Sequence, residues 1–284
     1  MERRQRLHGD RVGRDQRHVK ARAAALARLA LATLLVTALP RAVSQAPGEP
    51  PAGKQSGYAW MARETRAIQD DALANPGMLS VLDGEALWAR KAGTAGLACA
   101  DCHGDARLSM KGVATRFPAF DARLGRPLNL EQRINACRTE RQAAPALRYE
   151  SRDLLALTAY VARQSHGLPI APPADARLRP HVEAGRAEYL RRQGQLNLSC
   201  AQCHDGLADR KLVGNPITQG HPTGYPIYRL EWQAVGSLQR RLRNCMAGVR
   251  AEPHPYGAAE AVNLEAYLMW RARGMPLETP AVRP

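Results

Sequence analysis

Apolar positions along the chain predict helices in an order that occurs twice. The spacing around Ala86, Leu87 and Trp88, and around Tyr189 and Leu190, predicts a helix ahead of each of two cysteine motifs. Much further on, "SRDLLALTAYVARQ" (151–164) and "AAEAVNLEAYLMWRAR" (258–273) each read as a helix that stops at a glycine and then a proline. Between these lie a loop rich in glycine, proline and charge and a further helix that carries a single cysteine. No stretch alternates as a strand would, so the expected fold is mainly α.

The order recurs because the sequence does. "GEALWARKAGTAGLACADCH" aligns with "GRAEYLRRQGQLNLSCAQCH", matching Gly84 with Gly185. Phe117-Pro118 matches Tyr225-Pro226, and "LEQRINACR" matches "LQRRLRNCM" at an offset of 108, pairing Leu130 with Leu238, Arg133 with Arg241 and Cys137 with Cys245. Tyr160 matches Tyr267, and Gly167 matches Gly274. The expected organisation is a leader over 1–44, an arm over 45–75, one copy over 76–168, a linker ("PIAPPADARLRP") over 169–180 and a second copy over 181–284.

The leader changes the compartment. A basic start is followed by "AAALARLALATLLVTALP", apolar but for Arg28, and then by the small residues of "AVSQA". That is the pattern of a cleaved secretory signal ending near Ser44, and its apolar run is short and alanine-rich for a membrane span. Setting aside the leader's ten basic and three acidic residues lowers the net charge from +15 to +8. In an exported chain with no continuous basic run, that surplus points to an anionic substrate or an acidic protein partner, not to nucleic acid or membrane.

Export would ordinarily turn six cysteines into three disulfides. Four of them sit otherwise. "CADCH" and "CAQCH" are two copies of C-x-x-C-H, the attachment motif of c-type haem. Cys99 and Cys102, and Cys200 and Cys203, would form thioethers to the haem, and His103 and His204 would bind iron axially. With only two phenylalanines in the chain, each small copy has little apolar material of its own, and a covalent haem would complete its core. A redox dithiol or a zinc site is the competing reading.

Cys137 and Cys245 remain, one per copy at matched places. They can bridge each other or serve as the second axial ligand of each iron. Met110, Met246, Met269 and Met275 are rival ligands, but only Met275 has even a loose counterpart, Leu168, in the other copy. Thiolate ligation lowers the potential of haem iron. Around Cys245 lie Arg240, Arg241, Arg243 and Arg250, a setting that favours thiolate. On a helix Arg241 shares a face with Cys245, and its planar fork suits sulfonate-like oxygens. His221, in "QGHPTGYP", reads as a surface loop histidine, with a rival iron ligand or a metal site as alternatives. A plain dihaem electron carrier, with Cys245 only a ligand, stays open. A dihaem peroxidase would need an iron with a vacant position, which two ligating cysteines would deny it.

Longer stretches carry a resemblance. "SGYAWMARETRAIQDDALANPGMLSVLDGEALW", "RRQGQLNLSCAQCH", "QGHPTGYPIYRLEWQAVGSLQRRLRNCMAGVRAEP" and "RARGMPLETPAVRP" are similar to SoxA, the dihaem cytochrome family of the SoxAX complexes of bacterial thiosulfate oxidation. The resemblance implies two tandem cytochrome c-like domains with covalent haem cores, His103 and Cys137 on the first iron, and His204 and Cys245 on the second. It also implies that Cys245 is the catalytic residue, found as a persulfide, and that Arg241 binds substrate. The implied reaction joins thiosulfate to a cysteine of the carrier SoxYZ in the periplasm. Two electrons then leave to the monohaem partner SoxX, so the low potential of the second domain's haem is no obstacle.

Overall fold

The computed structural model of the chain describes residues 53–284; the leader and its expected cleavage near Ser44 lie outside them. Helix α1 (Arg63–Asp70) precedes the first copy, which runs α2 (Gly77–Ala89), α3 (Cys99–His103), α4 (Ala106–Ser109), β1 (Ala119–Asp121), β2 (Arg126–Leu128), α5 (Leu130–Arg141) and α6 (Arg152–Arg163). The second copy runs α7 (Arg179–Leu190), α8 (Cys200–His204), β3 (Lys211–Leu212), β4 (Asn215–Pro216), β5 (Ile227–Arg229), β6 (Ala234–Gly236), α9 (Leu238–Gly248), α10 (Ala259–Arg271) and β7 (Ala281–Arg283). None of these helices is long and apolar enough to cross a membrane.

The strands correct the expectation that there would be none. β1 pairs antiparallel with β2 and β5 with β6, each over three residues, and β7 adds to β5 in parallel. Ladders this short carry no period-two pattern for a sequence to display. The fold remains mainly helical.

Local chemistry starts each helix where the repeat predicts. Ser199 and Gln202 cap α8 reciprocally, with Ser199 N donating to Gln202 Oε1 (2.8 Å) and Gln202 N to Ser199 Oγ (3.3 Å). Asn129 and Gln132 do the same for α5 (3.2 and 2.9 Å). The Ser237 hydroxyl accepts from Arg240 N at 3.1 Å to open α9, the helix that carries Cys245.

Within each copy the first and last long helices cross at a glycine. A β-carbon on Gly84 in α2 would lie 2.1 Å from the Ala156 carbonyl oxygen in α6; one on Gly185 in α7 would lie 1.9 Å from the Asn263 carbonyl oxygen in α10. Matched aromatic pairs flank the crossings, Trp88 with Tyr160 at 5.9 Å between centroids and Tyr189 with Tyr267 at 5.3 Å.

The two copies also share one core. Trp88, Tyr160 and Ile170 from the first half pack in the same apolar cluster as Met269, Met275 and Leu277 from the second. The segments that end α6 and α10 exchange backbone hydrogen bonds: Gly167 N to Leu277 O, Ile170 N to Met275 O, Gly274 N to Ile170 O and Leu277 N to Leu168 O, at 2.7–2.9 Å. The segment before α1 runs against the second copy, with Lys54 Nζ donating to Arg273 O (2.8 Å) and Ser56 Oγ to Glu278.

Beside this core lies a buried polar seam. Glu265 of α10 accepts from Asn129 Nδ2 (3.1 Å) and Gln239 Nε2 (2.5 Å), and Tyr149 stacks on Tyr256 at 5.5 Å. Burial, and then the neighbouring Glu131, raise the Glu265 carboxyl well above the ordinary carboxylate range; burial does the same to Glu131.

Two expected outcomes follow from this packing. Gly185→Ala should destabilise the haem-loaded protein by about 3 kcal/mol or more in denaturant unfolding, because the obstructing atom is backbone and cannot rotate away. For the seam, a raised carboxyl stabilises the fold at acidic pH, where it is protonated, and that contribution is lost as pH rises through about 7 to 8. Glu265→Gln should therefore match the parent in thermal midpoint at pH 5 and exceed it at pH 9.

Candidate functional site

No disulfide joins any two of the six cysteines, so Cys137 and Cys245 do not bridge each other. Each CxxCH motif forms a five-residue helix ending in its histidine. The two histidines differ in cover. His103 is exposed, with its ring 5.7 Å from that of Trp88. His204 is partly buried, because the loop to the following Tyr225-Pro226 is 20 residues long against 13 in the first copy. That loop brings the Thr218 carbonyl 2.7 Å from His204 Nδ1, which makes Nδ1–H a donor and leaves Nε2 free to bind a metal. Gly220, at φ +71°, lies so close that a β-carbon there would be 3.1 Å from the imidazole.

Helix α9 delivers Cys245 to His204. The two side chains share a hydrogen bond, and Arg241, one turn earlier, acts on the same sulfur. Burial raises the Cys245 thiol, but the His204 hydrogen bond, Arg241, the His204 charge and Arg229 together outweigh it and bring it down to about 7. Cys200 goes the other way: burial, and then the charge of Cys245, push it up to about 12. Cys203 is raised by the same two causes.

The donor set of each copy fits a covalent haem c. Cys200 and Cys203 would carry its thioethers in the second copy, with His204 and Cys245 as candidate donors to its iron. In the first copy Cys99 and Cys102 would be attached, with His103 and Cys137 as ligands; Cys137 lies close enough for its charge to act on Cys99. Met269 and Met275, rivals as ligands, are instead buried in the shared core.

The arginines around Cys245 part company. Arg243 lies 4.7 Å above the Tyr256 ring and donates to the His254 carbonyl; Arg250 is exposed, 3.5 Å from Gln195 Oε1; Arg240 lies 4.2 Å over Trp232. Of the four named from the sequence, Arg241 is the one that acts on the sulfur. Arg229 and Tyr225, 16 and 20 residues upstream, join it and are not reached by reading outward from the cysteine. The offset of 108 carried a signal for Arg229, since it sets Arg229 opposite Asp121.

His221 departs from expectation. It is 8% exposed, beneath Arg271, and neither ring nitrogen has a hydrogen-bond partner among the described residues. Burial, then Arg271, Lys54 and His204, lower its ring to about 3. The loop folds inward because it must cover His204. No group of three metal-binding side chains forms among the described residues.

Comparison with known proteins agrees with this geometry. The profile described as SoxA/TsdA, cytochrome c domain, matches residues 83–170 and 184–277. The chain is 39% identical over 229 residues to the L-cysteine S-thiosulfotransferase subunit SoxA of Pseudaminobacter salicylatoxidans, covering 80% of each. It is 37% identical to the protein of the same name from Rhodovulum sulfidophilum, covering 81% of this chain and 80% of that one. Among solved structures it is similar to SoxXA from P. pantotrophus, with a TM-score of 0.78, 31% identity, and 81% of this chain and 87% of that chain covered.

Gly220→Val tests the loop's hold on His204. It should cost about 1–3 kcal/mol through strain at positive φ and contact with the imidazole. It should also perturb the electron paramagnetic resonance signal of one of two haems. Gly104→Val, at φ +63° with nothing within 4 Å, should cost strain alone and leave both signals in place.

Proposed function

The chain belongs to the SoxA/TsdA cytochrome c family, within its SoxA group, and from that premise we propose that it acts as an L-cysteine S-thiosulfotransferase subunit at Cys245. The observation that carries the reading is the convergence on one sulfur of the His204 hydrogen bond and two arginine charges, which hold that thiol near neutrality despite its burial.

Two cytochrome c-like domains, over 76–168 and 181–284, would each hold one haem c on the donors described above. When bound, haem c supplies a one-electron route out of the site and tunes the thiolate it shares. The chain's own residues do the rest. Arg241 neutralises and orients the oxygen-bearing end of thiosulfate, and Cys245 offers an electron-rich sulfur able to hold a sulfane sulfur as a persulfide. The coupling joins thiosulfate and a deprotonated carrier cysteine into a cysteine S-thiosulfonate. One S–S bond forms, and two electrons leave, so three negative charges enter, one remains on the product and two depart with the electrons. The SoxYZ carrier would supply the cysteine, a SoxX-type monohaem cytochrome would accept the electrons, and the setting would be the periplasm.

The basic surface fits an acidic protein partner, and the guanidinium at Cys245 fits an anion whose charge sits on oxygen.

Intact-protein and peptide mass spectrometry should find the mass of one additional sulfur atom on Cys245 in part of the population. A simple electron carrier would show haem alone. Cys245→Met should keep both haems yet lose thiosulfate-dependent modification of the carrier cysteine by roughly 100-fold or more. A variant that retained turnover would return the chain to the electron carriers.

A further inference from the structure

The two copies differ in charge at one matched position beside the late cysteine. Asp121 ends β1 and Arg229 ends β5, and each pairs across its ladder with a residue also 108 apart, Arg126 in one and Ala234 in the other. In the first copy Asp121 forms an ion pair with Arg133 at 3.1 Å, and Arg133 is the counterpart of Arg241. The arginine one turn before Cys137 is thereby neutralised. In the second copy the aspartate's place is taken by a second cation, and the charges of Arg229 and Arg241 both act on the same sulfur.

Arg229 is placed at a cost. It is 8% exposed, and its Nε is buried without a hydrogen-bond partner. Its ionisation is depressed, first by burial and then by Arg241. Its one carboxylate, Glu231, reaches Nη2 at 2.9 Å but is itself 60% exposed, which makes a weak, displaceable pair. The Trp232 ring, 5.2 Å from the Arg229 guanidinium and 4.2 Å from that of Arg240, holds the group in place from the side. Two guanidiniums sharing a buried corner with an orphan donor form a site short of an anion. A terminal sulfonate has three oxygens. One arginine fork satisfies two, which leaves the third, and a second charge, for another.

We propose that Arg229 is the second arm of an anion cradle at Cys245, gripping with Arg241 the oxygen-bearing end of a dianionic sulfur oxyanion that displaces Glu231. This rests on the thiosulfotransferase reading of Cys245 and deepens it: the cradle selects for an anion with both two charges and a sulfonate-like end. Arg229 touches substrate and does not touch iron.

The test titrates thiosulfate calorimetrically into the haem-loaded complex, without carrier or electron acceptor, for the parent, Arg229→Gln, Arg229→Lys and Glu231→Gln. Arg229→Gln should weaken binding at least tenfold, and Arg229→Lys, which keeps the charge but loses the fork, by a smaller factor. Glu231→Gln should tighten binding severalfold, because the competing carboxylate is gone. The electron paramagnetic resonance signals should be unchanged throughout. If Arg229→Gln fails to load haem, Glu231→Gln decides by the direction of its shift alone. Binding within twofold of the parent in Arg229→Gln overturns the proposal. So does a changed haem signal or potential with binding intact, which would make Arg229 a partner of the haem carboxylates. Arginine-dependent binding in a protein that never modifies the carrier keeps the cradle and removes the transferase. Turnover with binding indifferent to Arg229 does the reverse.

Discussion

The backbone of one helix occupies the space that a side chain on another would need, twice over. At Gly185 the Asn263 carbonyl, and at Gly84 the Ala156 carbonyl, lie about where a β-carbon would go. This contact sets how close the first and last helices of each copy come, and so where everything between them falls. Nine residues separate the end of the first helix of the pair from the attachment motif, and ten separate the late-cysteine helix from the second, in both copies. With the crossing fixed, the histidine and the cysteine are brought to one place from opposite directions.

The first copy does not build its core alone. Met269, Met275 and Leu277 complete a cluster that begins with Val81, Trp88 and Tyr160, and the segments after α6 and α10 pair through backbone hydrogen bonds. Small domains bury a low fraction of their surface, and a chain poor in large aromatics gains by pooling what it has. The polar seam of Glu131, Asn129, Gln239 and Glu265 runs through the same junction. The buried Glu265 carboxyl there favours one arrangement of the copies over others, since any slip would strand it without its amide partners Asn129 and Gln239.

Against this shared frame the differences between the copies are few and local. A loop longer by seven residues covers His204 where His103 is open, and Asp121 gives way to Arg229. The first change supplies a carbonyl for the histidine; the second reverses the charge facing the late cysteine. Cys137 lies one helical turn from an arginine already satisfied by Asp121, whereas the charges of His204, Arg241 and Arg229 act on Cys245, and the arginines' carboxylate, Glu231, is mostly exposed. The scaffold is common to both, and the chemistry belongs to one.

Much of this was legible in the residues. The doubled order of helices, the attachment motifs, the matched late cysteines, and Arg241 one turn before Cys245 all depend on spacing along the chain, which a sequence states directly. Other features were not. The strands are two or three residues long and have no pattern of their own; β1 with β2, and β5 with β6, exist because the loop after each matched proline turns back on itself. Arg243 and Arg250 stand two and five residues from Cys245, against four for Arg241, yet Arg243 turns toward Tyr256 and Arg250 toward solvent. His221 reads as a surface residue until the loop is folded over His204.

Periodicity and local motif therefore determined the helices, the repeat and Cys245 as the candidate sulfur, because each is a relation of spacing along the chain. Tertiary structure alone decided which charges surround that sulfur. Arg229, Tyr225 and Arg241 meet through a strand and a helix that approach each other in space, and electrostatic interaction depends on that distance and on burial, neither of which sequence separation measures.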